Sequence, residues 1–156
     1  ERFWKAYYGK AAPFLQNYSD LLHDNNQGYT GRKMSIFGSP KQETDGFLSP
    51  ELLSRYNLLF DKAEKAVKRN PEQLRRVKSA RLPVIFAMLE IIKENEAANW
   101  ETYRDGEREK FRLPEEVSDL LYDLYFQCLN TEVSRLSEWH TSPKEYLEKY
   151  DLVENF

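Results

Sequence analysis

Residues 49–67 read SPELLSRYNLLFDKAEKAV, and this stretch decides the fold class. It opens with a serine that can cap a helix, a proline at the first helical position and an acid in the first turn, which together are typical of a helix start. Apolar residues then recur at alternating steps of four and three, at Leu52, Tyr56, Leu59, Ala63 and Ala66. This period predicts a helix that packs along most of its length against neighbouring elements.

Similar start signals divide the rest of the chain into helices. Asn70-Pro71-Glu72-Gln73 and Ser142-Pro143-Lys144-Glu145 read as capping boxes, and Pro114 opens a further helix. We predict helices from residue 71 to about 103, from 114 to about 139 and from 143 onward, with a charged solvated turn at 104–112. Before them, a short aromatic helix ends at Gly9 in a left-handed cap, and a second helix runs from Ala11 to about residue 26.

The predicted fold class is therefore all-α: an antiparallel helical bundle of about five helices in a single helical domain, residues 1–156. One long irregular loop, residues 27–48, interrupts it with four glycines and a proline. A connection of that length in a compact domain is usually functional or disordered. Within it we predict contacts to a ligand or another domain by Tyr29, Arg32 and Lys33, because loops on rigid scaffolds carry function.

The charge balance, the apolar runs and the few cysteines and histidines exclude several classes of protein and of binding site. Lys plus Arg total 23 against 26 Asp plus Glu, a net charge of -3, which argues against nucleic-acid binding. No run approaches the roughly 18 apolar residues of a membrane span. One cysteine (Cys128) and two histidines leave little for a metal site, so we predict no metal and no cofactor.

Arg81 lies near the middle of the apolar stripe of its predicted helix. An unpaired guanidinium there would cost several kcal/mol. The favoured interpretation is an ion pair with another helix, and the acids considered are Asp20, Asp61, Asp119 and Asp123. The alternative is that Arg81 binds a ligand carboxylate or another domain.

Catalytic signatures are absent from the sequence, and we predict no catalytic residue. The acid pairs Asp20/Asp24 and Asp119/Asp123 are spaced four apart on single helices, which is far more typical of solvated faces than of glycosidase acids. The aromatic group Phe3, Trp4, Tyr7 and Tyr8 is interpreted as core packing, with stacking on sugar rings as the alternative.

The chain opens at Glu1 without a methionine, already in a helical pattern. We expect it to be a piece of a longer multidomain protein, with any targeting signal upstream.

Several segments resemble one bacterial family, the domain of unknown function 4838. They are Tyr7-Tyr8-Gly9-Lys10-Ala11-Ala12-Pro13, Tyr18, Leu21-Leu22-His23, Leu48-Ser49-Pro50-Glu51-Leu52-Leu53, Phe60-Asp61-Lys62-Ala63-Glu64-Lys65-Ala66, Arg76-Val77 and Ala80-Arg81-Leu82-Pro83. They cover most of the first hundred residues. The family looks like glycoside hydrolases of gut Bacteroides and soil bacteria, with an α-glucuronidase-like barrel followed by helices, and this chain matches only the helices.

The resemblance implies a C-terminal helical accessory domain of a carbohydrate-active enzyme in the periplasm or outside the cell. Its partners would be the upstream catalytic barrel of the same polypeptide and a carbohydrate. The alternative is a non-enzymatic helical module that binds a partner or forms a homo-oligomer. The first hypothesis predicts an exposed apolar flank on the isolated chain, and the second predicts stable self-association.

Overall fold

The structure is a computed structural model that describes residues 2–27, 38–96, 99–106, 108–136, 141–148 and 150. Within these residues the chain forms six α-helices and one β-hairpin. The helices are α1 Arg2–Tyr8, α2 Ala12–Gln27, α3 Pro50–Val67, α4 Pro71–Glu96, α5 Glu115–Asn130 and α6 Pro143–Glu148. Short 3-10 helices cover Gly9–Ala11 and Pro40–Glu43. The predicted all-α class, a helical bundle, is confirmed.

The predicted starts of α3 and α6 are confirmed by their caps, whereas α5 begins at Glu115, one residue after the predicted Pro114, and has no side-chain cap. Ser49 Oγ accepts a hydrogen bond from the Leu52 N–H at 3.3 Å, and Pro50 begins α3. Ser142 and Glu145 form the full reciprocal box at the start of α6, with bonds of 3.1 and 2.8 Å. Each such cap satisfies backbone donors that a helix leaves unpaired at its first turn.

The chain divides into two compact units, Glu1–Ile91 and Ile92–Phe156. In the first unit, α2, α3 and α4 enclose a core centred on Tyr56 and Phe60, which are 0% and 1% exposed. The Tyr18 ring packs on both, with ring centroids 5.1 and 4.9 Å apart. The Tyr56 hydroxyl donates to the Phe47 carbonyl at 2.9 Å, which fastens the turn before α3 to the core.

The second unit corrects the prediction that the long helix runs to about residue 103 and is followed by a charged turn. Helix α4 ends at Glu96, and strands β1 (Glu101–Asp105) and β2 (Arg108–Arg112) pair antiparallel, with Asp105 opposite Arg108. Asp105-Gly106 is a hairpin turn signal, and Gly106 takes φ +61°, which suits glycine. Trp100 packs against the rings of Phe111 and Tyr150 at 6.0 and 6.3 Å, so aromatic packing stabilises the hairpin.

Helix α5 is also shorter than predicted, because it ends at Asn130 and not near residue 139. Glu132 adopts a left-handed φ of +61°, and the Val133 N–H turns back to the Cys128 carbonyl at 2.9 Å. Cys128 itself is fully buried, and burial raises the pKa of its thiol to about 11. The prediction that Cys128 lies in the core is therefore confirmed, and a thiol with a raised pKa forms less of the reactive thiolate.

Candidate functional site

A surface cleft of about 830 Å³ lies in the first unit, where α2 and α4 begin and α3 ends. We call it the cationic cleft. The residues that line it are Lys5, Gly9, Lys10, Ala12, Pro13, Gln16, Ala66, Val67, Arg69, Asn70 and Gln73. Three are cations and three carry side-chain amides, and no acid, histidine or cysteine lines the cleft among the described residues.

The cations of the cleft are exposed and available to a ligand. Lys5, Lys10 and Arg69 are all exposed, and none of them is in an ion pair with another residue of the described segments. Two helices, α2 and α4, also place their first turns here, and helix N-termini carry partial positive charge. The carboxyl end of α3 at Val67 contributes the opposite partial charge, which three full cations outweigh.

Gly9 shapes one wall of the cleft. Its φ of +56° ends α1 in the predicted left-handed cap, so that prediction is confirmed. A Cβ on Gly9 would clash with the side-chain amide of Gln73, so only glycine lets this amide lie against the backbone. Asn70 Oδ1 caps α4 by accepting from the Gln73 N–H at 3.1 Å, while the Gln73 side chain lines the cleft.

The aromatic residues of α1 divide between the core and the surface. Trp4 and Tyr8 stack at 5.6 Å and pack on the core, as predicted. The prediction of core packing is wrong for Phe3 and Tyr7, which stack at 5.4 Å on the outside, with Phe3 65% exposed. We call Phe3 and Tyr7 the α1 aromatic face.

Arg76 of α4 holds this face in place. Its Nη1 donates to the Tyr7 carbonyl at 2.9 Å, and its Cζ lies 4.2 Å from the Tyr7 ring centroid. A salt bridge to Glu72 orients the same guanidinium. The carbonyl bond satisfies an acceptor at the end of α1, and the ring contact adds a cation–π attraction.

Arg81 joins α4 to α3, and the predicted ion pair with another helix is confirmed. Its Nη1 lies 2.9 Å from both Asp61 Oδ1 and Glu64 Oε1, and its Nη2 donates to Asn57 Oδ1 at 3.1 Å. Asp61 was among the acids considered, whereas Glu64 and Asn57 were missed. Asn57, Asp61 and Glu64 are spaced by four and three residues along α3, so they share one face of the helix. That spacing is the sequence signal for all three partners. The Arg81 side chain is 19% exposed, and it does not line the cationic cleft.

Tyr29, Arg32 and Lys33 lie outside the described residues, so their predicted contacts stay a prediction. The described end of the same loop, residues 38–48, is built of turns. Ser39 caps the 3-10 helix Pro40–Glu43 by accepting from the Lys41 N–H at 3.2 Å. Gly46 in the turn that follows is buried.

The acid pairs that the sequence offers as catalytic candidates lie on exposed helix faces. Asp20, Asp24, Asp119 and Asp123 are all exposed, as solvated faces are. Within the described ranges, no group of three or more His, Cys, Asp or Glu side chains is arranged to hold a metal ion. No helix in the same ranges is long and apolar enough to cross a membrane.

Sequence reasoning missed the cationic cleft. Residues 5–16 and 66–73 line the cleft, and helix packing brings these two segments together. No local sequence pattern predicts which distant segments pack side by side. A partial signal existed, because Lys10 and Arg69 each stand within a few residues of a predicted helix start.

Comparison with known proteins yields no match to a family model, to a curated protein or to a solved structure.

Proposed function

We propose that the chain is a non-catalytic helical accessory domain of a carbohydrate-active, glycoside-hydrolase-like enzyme. In this proposal it packs on the catalytic barrel of the same polypeptide and works in the periplasm or outside the cell. The motif resemblance supports the barrel and the compartment. The α1 aromatic face supports the packing, and it is the observation that carries the proposal.

The α1 aromatic face has the properties of an uncovered packing surface. Helix α1 contains no buried residue, although Phe3, Trp4, Tyr7 and Tyr8 make four of its seven residues aromatic. Aromatic side chains gain the most when they are removed from water, so leaving Phe3 and Tyr7 exposed is unfavourable in the isolated chain.

The substitution Phe3→Ser tests this surface. In the 156-residue chain we expect it to change the free energy of unfolding by less than about 0.5 kcal/mol, because the ring is largely exposed. In the intact polypeptide we expect a clear fall in the melting temperature of the helical domain, because the same ring is covered by the barrel. Calorimetry of both proteins measures the two effects.

Leu58→Ser is the matched control, because Leu58 is an exposed apolar residue of α3 in the same unit. We expect it to have equally small effects in both proteins. If Phe3→Ser behaves like Leu58→Ser in the intact polypeptide, the α1 aromatic face does not contact the barrel.

The α1 aromatic face also fits the alternative, a non-enzymatic interaction module. In that module the face contacts a second copy of the chain. Sedimentation of the intact polypeptide separates the two proposals. A monomer supports the accessory domain, whereas a dimer that Phe3→Ser dissociates supports the oligomerisation module.

A further inference from the structure

We propose that the cationic cleft binds a small hydroxylated anion, a sugar acid or a sugar phosphate. This goes beyond the proposed function, because packing on a barrel uses the α1 aromatic face and requires no ligand in the cleft.

The charge of the lining selects an anion. Three residues with cationic side chains line a cleft that no described acid lines, in a chain whose net charge is -3. The positive excess is therefore local and does not follow from composition. A carboxylate or phosphate placed among Lys5, Lys10 and Arg69 would gain charge-assisted hydrogen bonds without displacing an internal partner.

The two helix starts strengthen the same preference. Helix α2 contributes Ala12 and Pro13 to the lining, and α4 contributes Gln73. The N–H of Ala12 already donates to the Gly9 carbonyl, the N–H of Gln73 donates to Asn70 Oδ1, and Pro13 has no N–H. The helix starts therefore favour an anion only through the partial positive charge of the helix dipole. They add to the three cations and are not needed for the cleft to be positive.

The size and the amides of the cleft indicate that the anion carries a hydroxylated body. About 830 Å³ is within the range of pockets that hold small organic ligands, and far exceeds what a bare anion fills. Gln16, Asn70 and Gln73 present side-chain amides, which donate and accept at adjacent atoms. A hydroxyl group also donates and accepts, so rows of hydroxyls match this lining.

Titration calorimetry of the 156-residue chain at fixed ionic strength tests the proposal with three probes: D-glucuronate, glucose 6-phosphate and glucose. We expect at least one of the two anions to bind and glucose to give no heat. Binding of glucuronate alone identifies the carboxylate as the recognised group, and binding of glucose 6-phosphate alone identifies the phosphate. Either anion should bind more weakly as salt is raised, because the cations are exposed and screened.

Lys10→Gln and Arg69→Gln locate the site. Each is expected to weaken binding about two- to fivefold, which is the range expected for losing one exposed charge contact. Lys62→Gln is the control, because Lys62 is an exposed lysine of α3 that does not line the cleft. All three positions are exposed, so the variants should fold, and circular dichroism confirms that they do.

Three results would overturn the proposal. They are the absence of binding by both anions, equal binding of glucose, and equal weakening by Lys62→Gln. None of them bears on the α1 aromatic face, so the proposed accessory role would stand or fall separately.

Discussion

We expect Arg81→Ala to lower the free energy of unfolding by about 2–3 kcal/mol. The substitution removes two ion pairs and the hydrogen bond to Asn57 that together join α4 to α3. Most of the cost comes from Glu64, because its side chain is only 24% exposed and would lose its cationic partner in a partly buried position. Asp61 is largely solvated, so its contact adds less. Urea denaturation measures the difference.

Arg112→Ala is the matched control for Arg81→Ala. Arg112 pairs with Glu101 at 3.0 Å, but both side chains are 74% exposed, so the loss should stay within about 0.5 kcal/mol. Adding Glu64→Gln to Arg81→Ala should recover part of the stability, since it removes the uncompensated charge. A loss below about 0.5 kcal/mol for Arg81→Ala would show that the interhelical network contributes nothing to the fold.

We expect Gly9→Ala to cost about 1–2 kcal/mol, because a residue with a Cβ is strained at a φ of +56°. The new methyl group would also meet the end of the Gln73 side chain. Since that amide is the flexible end of a long side chain, it can swing away, and its displacement adds little to the cost. Thermal unfolding of the variant measures the loss.

The variant Gly106→Ala separates the cost of backbone strain from the cost of the contact with Gln73. Gly106 has a similar φ of +61°, and no described atom lies within 4 Å of the position its Cβ would take, so this variant reports backbone strain alone. Any excess cost of Gly9→Ala over Gly106→Ala measures the contact with Gln73, and adding Gln73→Ala should abolish it. If Gly9→Ala is neutral, the left-handed cap at the end of α1 is not present in solution.

The helices can be predicted from the sequence because their first residues carry recognisable capping signals. Ser49-Pro50, Asn70-Pro71 and Ser142-Pro143 each combine a side-chain acceptor with a residue that cannot donate a backbone bond, and all three begin helices. Local chemistry of this kind acts within a few residues and needs no tertiary information.

The hairpin was missed because its signal is short and masked by charge. Each strand has five residues, and Tyr103 and Phe111 are the only large apolar side chains among them. What stabilises the hairpin lies outside the strands, in the packing of Trp100 and Tyr150 around Phe111. The local sign of the turn is Asp105-Gly106, but the charged residues around it are equally typical of a solvated connection.

The candidate site was less predictable than the fold, for a related reason. The position of Arg81 on the buried side of α4 follows from helix phase, and its pairing with another helix follows from the cost of burying a charge. Which acids it meets depends on how α3 and α4 are packed. The cationic cleft depends even more on packing, since Lys10 and Arg69 line one cleft only when α2, α3 and α4 are packed together.

Turnover of aryl-glycosides tests the central claim most directly, measured on the intact polypeptide and on the 156-residue chain in parallel. The account predicts turnover by the intact polypeptide and none by the chain, because no described residues of the chain form a catalytic acid pair. Turnover by the chain alone, lost when one of its own acids is replaced, would contradict the account.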